Sequence, residues 1–246
     1  MTASKVRSEH SPYQVSPAIV ASGVFAALLF WVLFDSVRKH DRVVGWDRDF
    51  ARWMTSWRGD ALTTAMRGVT QLADTGVVIV GTVVLATALL VRYHRAAAIL
   101  FSSSCGAAIL VQAAKAVVQR QRPMGGLVTA TGAAFPSGHA TQGVAFYCAS
   151  GLIAATLVRR RWIRVAIRGS AAAIAIGVGL SRVVLGVHWL SDVVAGWCLG
   201  WAWLVALVIA NRIVVRERRP QSDDLRERDA VLRVYEGATV SVAEQT

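Results

Sequence analysis

Apolar residues fall in six uncharged runs, at 18–34, 75–91, 96–114, 140–158, 169–181 and 193–211. A helix needs roughly 20 such residues to cross a bilayer, and most of these runs approach that length. The fifth run is short. It reaches span length when extended through Trp162, with Arg164 and Arg168 stretching their charged ends toward the headgroups. No proline interrupts any run. The pattern predicts an all-α fold, a bundle of six transmembrane helices. The first run reads as a retained helix, not a cleaved leader. The expected organisation is an N-terminal piece over 1–17, a first helix plus an aromatic segment over 18–74, a membrane core over 75–211 and a charged tail over 212–246.

The loops set the expected orientation. With the N-terminus in the cytoplasm, 16 of the 27 basic residues lie inside, including the run Arg159, Arg160 and Arg161. The outer pieces hold 11 basic residues, with six acids among them between Asp35 and Asp74. An excess of Lys and Arg on cytoplasmic loops therefore predicts both termini inside. Within the outer segment, Trp46, Phe50, Trp53 and Trp57 recur at spacings of four, three and four, one face of a helix. That face suits either a helix lying in the outer headgroup layer or one packed on the bundle. In the tail, Ser222 is positioned to cap a short helix running toward Gly237.

Composition agrees. Hydrophobic types make up 54% of the 246 residues and charged types 17%, against roughly 45–50% and 25% in soluble domains. This excludes disorder for most of the chain. A net charge of +12 would suggest nucleic acid in a soluble protein. Here the charges flank apolar runs, which fits topology and an anionic membrane surface instead. Cys105, Cys148 and Cys198 each stand alone in an apolar run, so they read as small buried hydrophobes. Of the basic residues 24 are arginine and only Lys5, Lys39 and Lys115 are lysine. With abundant Ala and Val, that bias suggests a GC-rich bacterial genome, and with the apolar runs a bacterial cell membrane.

Three polar stretches break the apolar pattern, all on the expected outer side. In the first, Lys115 and Arg122 are seven apart; a continuing third helix would carry both on one face and stop at Pro123. The second is Phe135-Pro136-Ser137-Gly138-His139. Ser137 reads as an N-cap, Gly138 permits close approach of an anion to free backbone N–H groups, and His139 stands beside it. The third runs from Ser181 and Arg182 to His188 and Asp192. His188 and Asp192, at i and i+4, are read as one face of the helix opening the last span. An aspartate that accepts one imidazole N–H leaves the other nitrogen as an oriented lone pair, as a nucleophilic histidine requires. The cations offer charge for an oxyanion, and the two histidines offer a nucleophile and an acid. There is no zinc-type ligand spacing, Walker loop or dinucleotide fingerprint, so no metal or cofactor is expected.

The pattern K-x6-R-P, then P-S-G-H, then S-R-x5-H-x3-D resembles the type 2 phosphatidic acid phosphatase family, which shares its site with vanadium haloperoxidases. The resemblance covers roughly residues 75–211. It implies His188 as the nucleophile that attacks phosphorus, Asp192 as its orienting partner and His139 as the acid for the leaving oxygen. Lys115, Arg122 and Arg182 would stabilise the phosphate oxygens, with Ser137 and the Gly138 amide as hydrogen-bonders. The expected activity is an integral membrane phosphatase that takes lipid phosphates or pyrophosphates from the outer face through a phosphohistidine. Undecaprenyl pyrophosphate and glycerolipid phosphates are both open as substrates. A phosphotransferase, or an anion or lipid transporter without turnover, are the alternatives. The partners expected are the lipid substrate and the membrane, with no nucleic acid.

Overall fold

The computed structural model describes residues 16–213. The predicted tail helix and the N-terminal Lys5 and Arg7 lie outside them. Every regular element among the described residues is helical. Helix α1 spans Pro17–Arg38, α2 Arg42–Ser56, α3 Asp60–Gln71 and α4 Thr75–Val118. After an irregular loop come α5 (Gly138–Gln142), a π-helical stretch (Gly143–Cys148), α6 (Ala149–Thr156), α7 (Arg161–Val184) and α8 (Leu190–Ile213). Four of these, α1, α4, α7 and α8, are long and apolar enough to cross a membrane. Helix α7 begins at Arg161, so the short fifth run does extend through Trp162.

Helix α4 is two helices in one. Its 44 residues would run about 66 Å if straight. Yet Thr82 Oγ1 donates a 3.0 Å hydrogen bond to Ser104 Oγ, 22 residues on. A straight helix would hold those residues about 33 Å apart. The chain therefore folds back midway between them, at Tyr93, whose φ of −134° and ψ of 48° are not helical. The two arms lie side by side.

Close approaches fix how α8 and α1 pack on the segment around α5. A Cβ on Gly196 would meet Ser137 O at 2.7 Å, and one on Gly200 would meet Thr141 O at 2.8 Å. These two glycines, four apart on α8, let its backbone lie directly on that of α5. On the other flank, Phe135 is fully buried and packs against Phe30 and Phe34 of α1, with ring centroids 6.1 and 6.3 Å away. In α2 the aromatic face turns outward: Trp46, Trp53 and Trp57 are exposed while Asp47 is buried. Phe50, on the same face, is half-buried against Ala140, Val183 and Val193, so the face touches the bundle there while its tryptophans stay outside. Of the cysteines, Cys148 and Cys198 are half-buried. Cys105 is exposed, contrary to expectation, because it faces the groove between the arms of α4.

Candidate active site

The end of α7 and the start of α8 form one corner. Gly186 adopts φ +70°, a left-handed conformation that a side chain would strain. Its N–H bonds Val183 O at 3.0 Å, and the Val187 N–H bonds Arg182 O at 3.1 Å. This pair of bonds closes the helix end and reverses the chain, bringing His188 beside Arg182. Helix α8 then starts at Leu190, so His188 precedes the helix instead of riding on its face. The i, i+4 contact survives for a different reason. The Asp192 carboxylate folds back over the first turn and accepts the Trp189 N–H at 2.9 Å, half of a capping box. The same oxygen lies 3.4 Å from His188 Nδ1.

His188 is buried, and burial lowers its pKa to about 4; Arg122 and Arg182 push the same way and Asp192 opposes them. The ring is therefore neutral at pH 7. Its other nitrogen, Nε2, lies 3.0 Å from Arg122 Nη1. Guanidinium only donates, so Nε2 carries the lone pair and Nδ1 the proton.

Arg122 reaches this position from a loop. Helix α4 ends at Val118, where Gln119 takes φ +45° and its N–H bonds Lys115 O. The expected helical continuation to Pro123 is thus absent, and Lys115 and Arg122 do not share a helical face. The left-handed turn at Gln119 ends the helix three residues before the proline restricts Arg122. Arg122 is instead held by carbonyls: Val187 O at 2.8 Å, Thr131 O at 2.9 Å and Gly132 O at 3.0 Å. Burial pushes its pKa below the usual value, with Asp192 opposing.

Lys115, Arg122, Gly138, His139, Arg182 and His188 all line one cavity of about 730 Å³. Arg182 donates to Thr70 Oγ1 at 2.7 Å, and His139 Nε2 lies 3.0 Å from Asp74 Oδ1. The Lys115 ammonium has no ion pair among the described residues. Ser137 occupies the N-cap position of α5, but its Oγ makes no cap bond and is buried without a partner among the described residues. Its N–H bonds Asp192 O at 2.9 Å, tying the second motif to the third. Below the cations the cavity runs between the arms of α4, along Ile79, Val83, Phe101 and Ile109.

The sequence reading missed the residues behind His188. Arg120 donates to Asp192 Oδ1 at 2.6 Å, to Ser191 Oγ at 2.7 Å and to Asp47 Oδ2 at 2.7 Å. Asp47 also accepts the Ser191 N–H at 2.9 Å, capping α8 from another helix. All four side chains are buried or nearly so. No local signal distinguishes Arg120 from its neighbours. Nor does one distinguish Asp47 from Asp49 on the same helix.

These features define an all-helical membrane protein whose cavity carries two histidines and three cations suited to an oxyanion. Residues 96–215 match the sequence profile of the PAP2 superfamily, and this part of the chain belongs to that family. No curated protein matches the chain significantly. Among solved structures, it resembles the transmembrane PAP2-type phosphatidylglycerolphosphate phosphatase from Bacillus subtilis. The TM-score is 0.66 at 24% identity, over 80% of this chain and 97% of that one. Aquifex aeolicus LpxE gives a TM-score of 0.49 at 19% identity, over 69% and 93%. The chain has the fold of the Bacillus subtilis phosphatase, and its family match and apolar span-length helices make it an integral membrane protein.

Proposed function

We propose that this protein hydrolyses lipid phosphates or pyrophosphates through a phosphohistidine on His188. The observation that carries the reading is the bracketing of His188. Asp192 faces Nδ1, and Arg122 donates to Nε2 at the wall of a cavity shared with Lys115, Arg182 and His139. Arg122 marks the path of attack, because a phosphate that takes over its N–H group lies beside the Nε2 lone pair. Phosphoryl transfer draws chiefly on positioning and charge stabilisation, and three cations supply both. His139 protonates the leaving oxygen and then activates water. The groove along Ile79, Val83, Phe101 and Ile109 suits an acyl or prenyl chain.

The chain crosses the membrane six times in this reading. The spans are α1, the two arms of α4, the stretch 138–156, α7 and α8. Both termini lie in the cytoplasm and the cavity opens on the outer side, as the charge asymmetry of the loops suggests. Residues 75–211 form the catalytic core. Helix α2, with Trp46, Trp53 and Trp57 outward, lies in the outer headgroup layer. The test is phosphate release by detergent-purified protein from phosphatidic acid, phosphatidylglycerol phosphate and undecaprenyl pyrophosphate, with and without EDTA. Release from one or more of these, undiminished by EDTA, is expected. Absence of release from all three, or a strict Mg²⁺ requirement, would contradict the reading.

A further inference from the structure

The corner between α3 and α4 lies outside the matched segment 96–215, yet it touches the site twice. Thr70 accepts from Arg182, and Asp74 meets His139 Nε2 at 3.0 Å. Asp74 precedes α4 at its N-cap position, where an aspartate ordinarily bonds the backbone of the first turn. Its side chain makes no such bond. The carboxylate is turned to the histidine instead. The corner is pinned in place from the far side: Tyr147 Oη, in the π-helical stretch, donates to Leu72 O at 2.6 Å. That stretch follows the helix bearing His139, so one segment carries the histidine and anchors the corner that supplies its carboxylate. His139 Nδ1 has no partner among the described residues.

We propose that Asp74 is a positioning residue for His139, holding the ring and its charge so that Nδ1 serves as the general acid. The proposal rests on the phosphatase reading above. The charged groups facing His139 are the cations Arg182 and Lys115 and the carboxylate Asp74. Burial and the two cations disfavour an imidazolium here, and Asp74 is the group that opposes them. In the first step the His188 Nε2 lone pair forms the N–P bond. The P–O bond to the leaving alcohol breaks, and its electron pair takes the Nδ1 proton of His139. In the second step water attacks phosphorus and gives a proton to Nδ1, while the P–N electron pair returns to His188.

A group that serves only the acid matters in proportion to how badly the leaving oxygen needs a proton. An alkoxide needs one; p-nitrophenolate does not. The experiment compares wild type, Asp74→Asn and His139→Gln, as full-length protein in detergent, on phosphatidic acid and on p-nitrophenyl phosphate. On phosphatidic acid, His139→Gln is expected to lose about 10²–10⁴-fold in kcat and Asp74→Asn at least about tenfold. On p-nitrophenyl phosphate the first-turnover release of p-nitrophenolate reports N–P bond formation alone. For Asp74→Asn it is expected to stay within about threefold of wild type, because that leaving group needs no proton. His139→Gln is expected to turn over slowly on both substrates, since its loss also slows the attack of water. If Asp74→Asn is equally impaired on both substrates, or on neither, Asp74 is a structural residue and the inference is overturned. Wild-type inactivity on both substrates would overturn the phosphatase reading and this inference with it.

Discussion

Arg120 and Asp192 meet at 2.6 Å behind the candidate nucleophile, and the other end of the same guanidinium is held by Asp47 of α2. One arginine thus bridges two buried carboxylates from segments 145 positions apart in the chain. Without Asp47, Arg120 would keep only the oxygens of α8. Without Arg120, two buried acids would face each other with no cation between them.

That bridge gives the first prediction. Removing one partner of a buried ion pair costs about 3–5 kcal/mol, so Arg120→Met is expected to lower thermal stability strongly. Arg120→Lys is expected to recover little, since a point charge cannot span both acids as the fork does. Asp47→Asn keeps the shape of the cap and is expected to be milder. Melting of the detergent-solubilised variants checks the order Met, Lys, then Asn from worst to best.

The second prediction concerns pH. His188 has a folded pKa of about 4, chiefly from burial, against about 6.5 for a free histidine. A base whose pKa is depressed on folding adds stability above its unfolded pKa and loses it as pH falls toward the folded value. Wild type is therefore expected to lose stability as pH drops from about 6.5 to 4. His188→Asn is expected to lose less over the same window, measured as thermal midpoint against pH. Equal slopes for the two proteins would place the acid sensitivity elsewhere.

How much of this was legible beforehand depends on the kind of contact. Repeating apolar runs report burial in lipid, so α1, α7, α8 and the arms of α4 could be read directly. The three motifs also came together, because short motifs carry their chemistry in residue type and spacing. Two local geometries were misread. The helix ends at Val118, and His188 stands ahead of α8, since a left-handed cap at Gln119 and a capping turn at Trp189 depend on contacts that periodicity does not register. The contacts of Asp47 and Asp74 were invisible for another reason. Each acts across more than 60 positions, and a lone aspartate looks the same whether it faces water or an arginine. Gly196 and Gly200 did carry a signal, a small residue every fourth position, that the reading passed over.

Lys115 gives the third prediction. It lines the cavity without an ion pair among the described residues, whereas Lys39 is paired with Asp35 on the surface at 2.7 Å. Arginine at position 115 would add a third planar fork beside Arg122 and Arg182. Displacing the phosphorus by about 1 Å can cost on the order of a hundredfold. Lys115→Arg is expected to lose most of its kcat at unchanged charge, and Lys39→Arg to be silent. Full kcat and KM for Lys115→Arg would make Lys115 an anchor only.

The fourth prediction concerns sidedness. Met124 is 98% exposed in the loop that carries Arg122. In a background lacking the three native cysteines, Met124→Cys is expected to react with an impermeant thiol reagent added to intact cells. Arg160→Cys is expected to stay protected. The reverse labelling would put the cavity on the cytoplasmic side.

The most direct test of the account is to trap the phosphoenzyme. Protein is mixed with a ³²P-labelled lipid phosphate that it turns over, quenched in alkali within the first turnover and digested. The account predicts an alkali-stable, acid-labile label on the peptide that holds His188. Neither that label nor phosphate release should appear with His188→Ala at equal folded amounts. Phosphate release by His188→Ala near the wild-type rate, or a label on another residue, would contradict it.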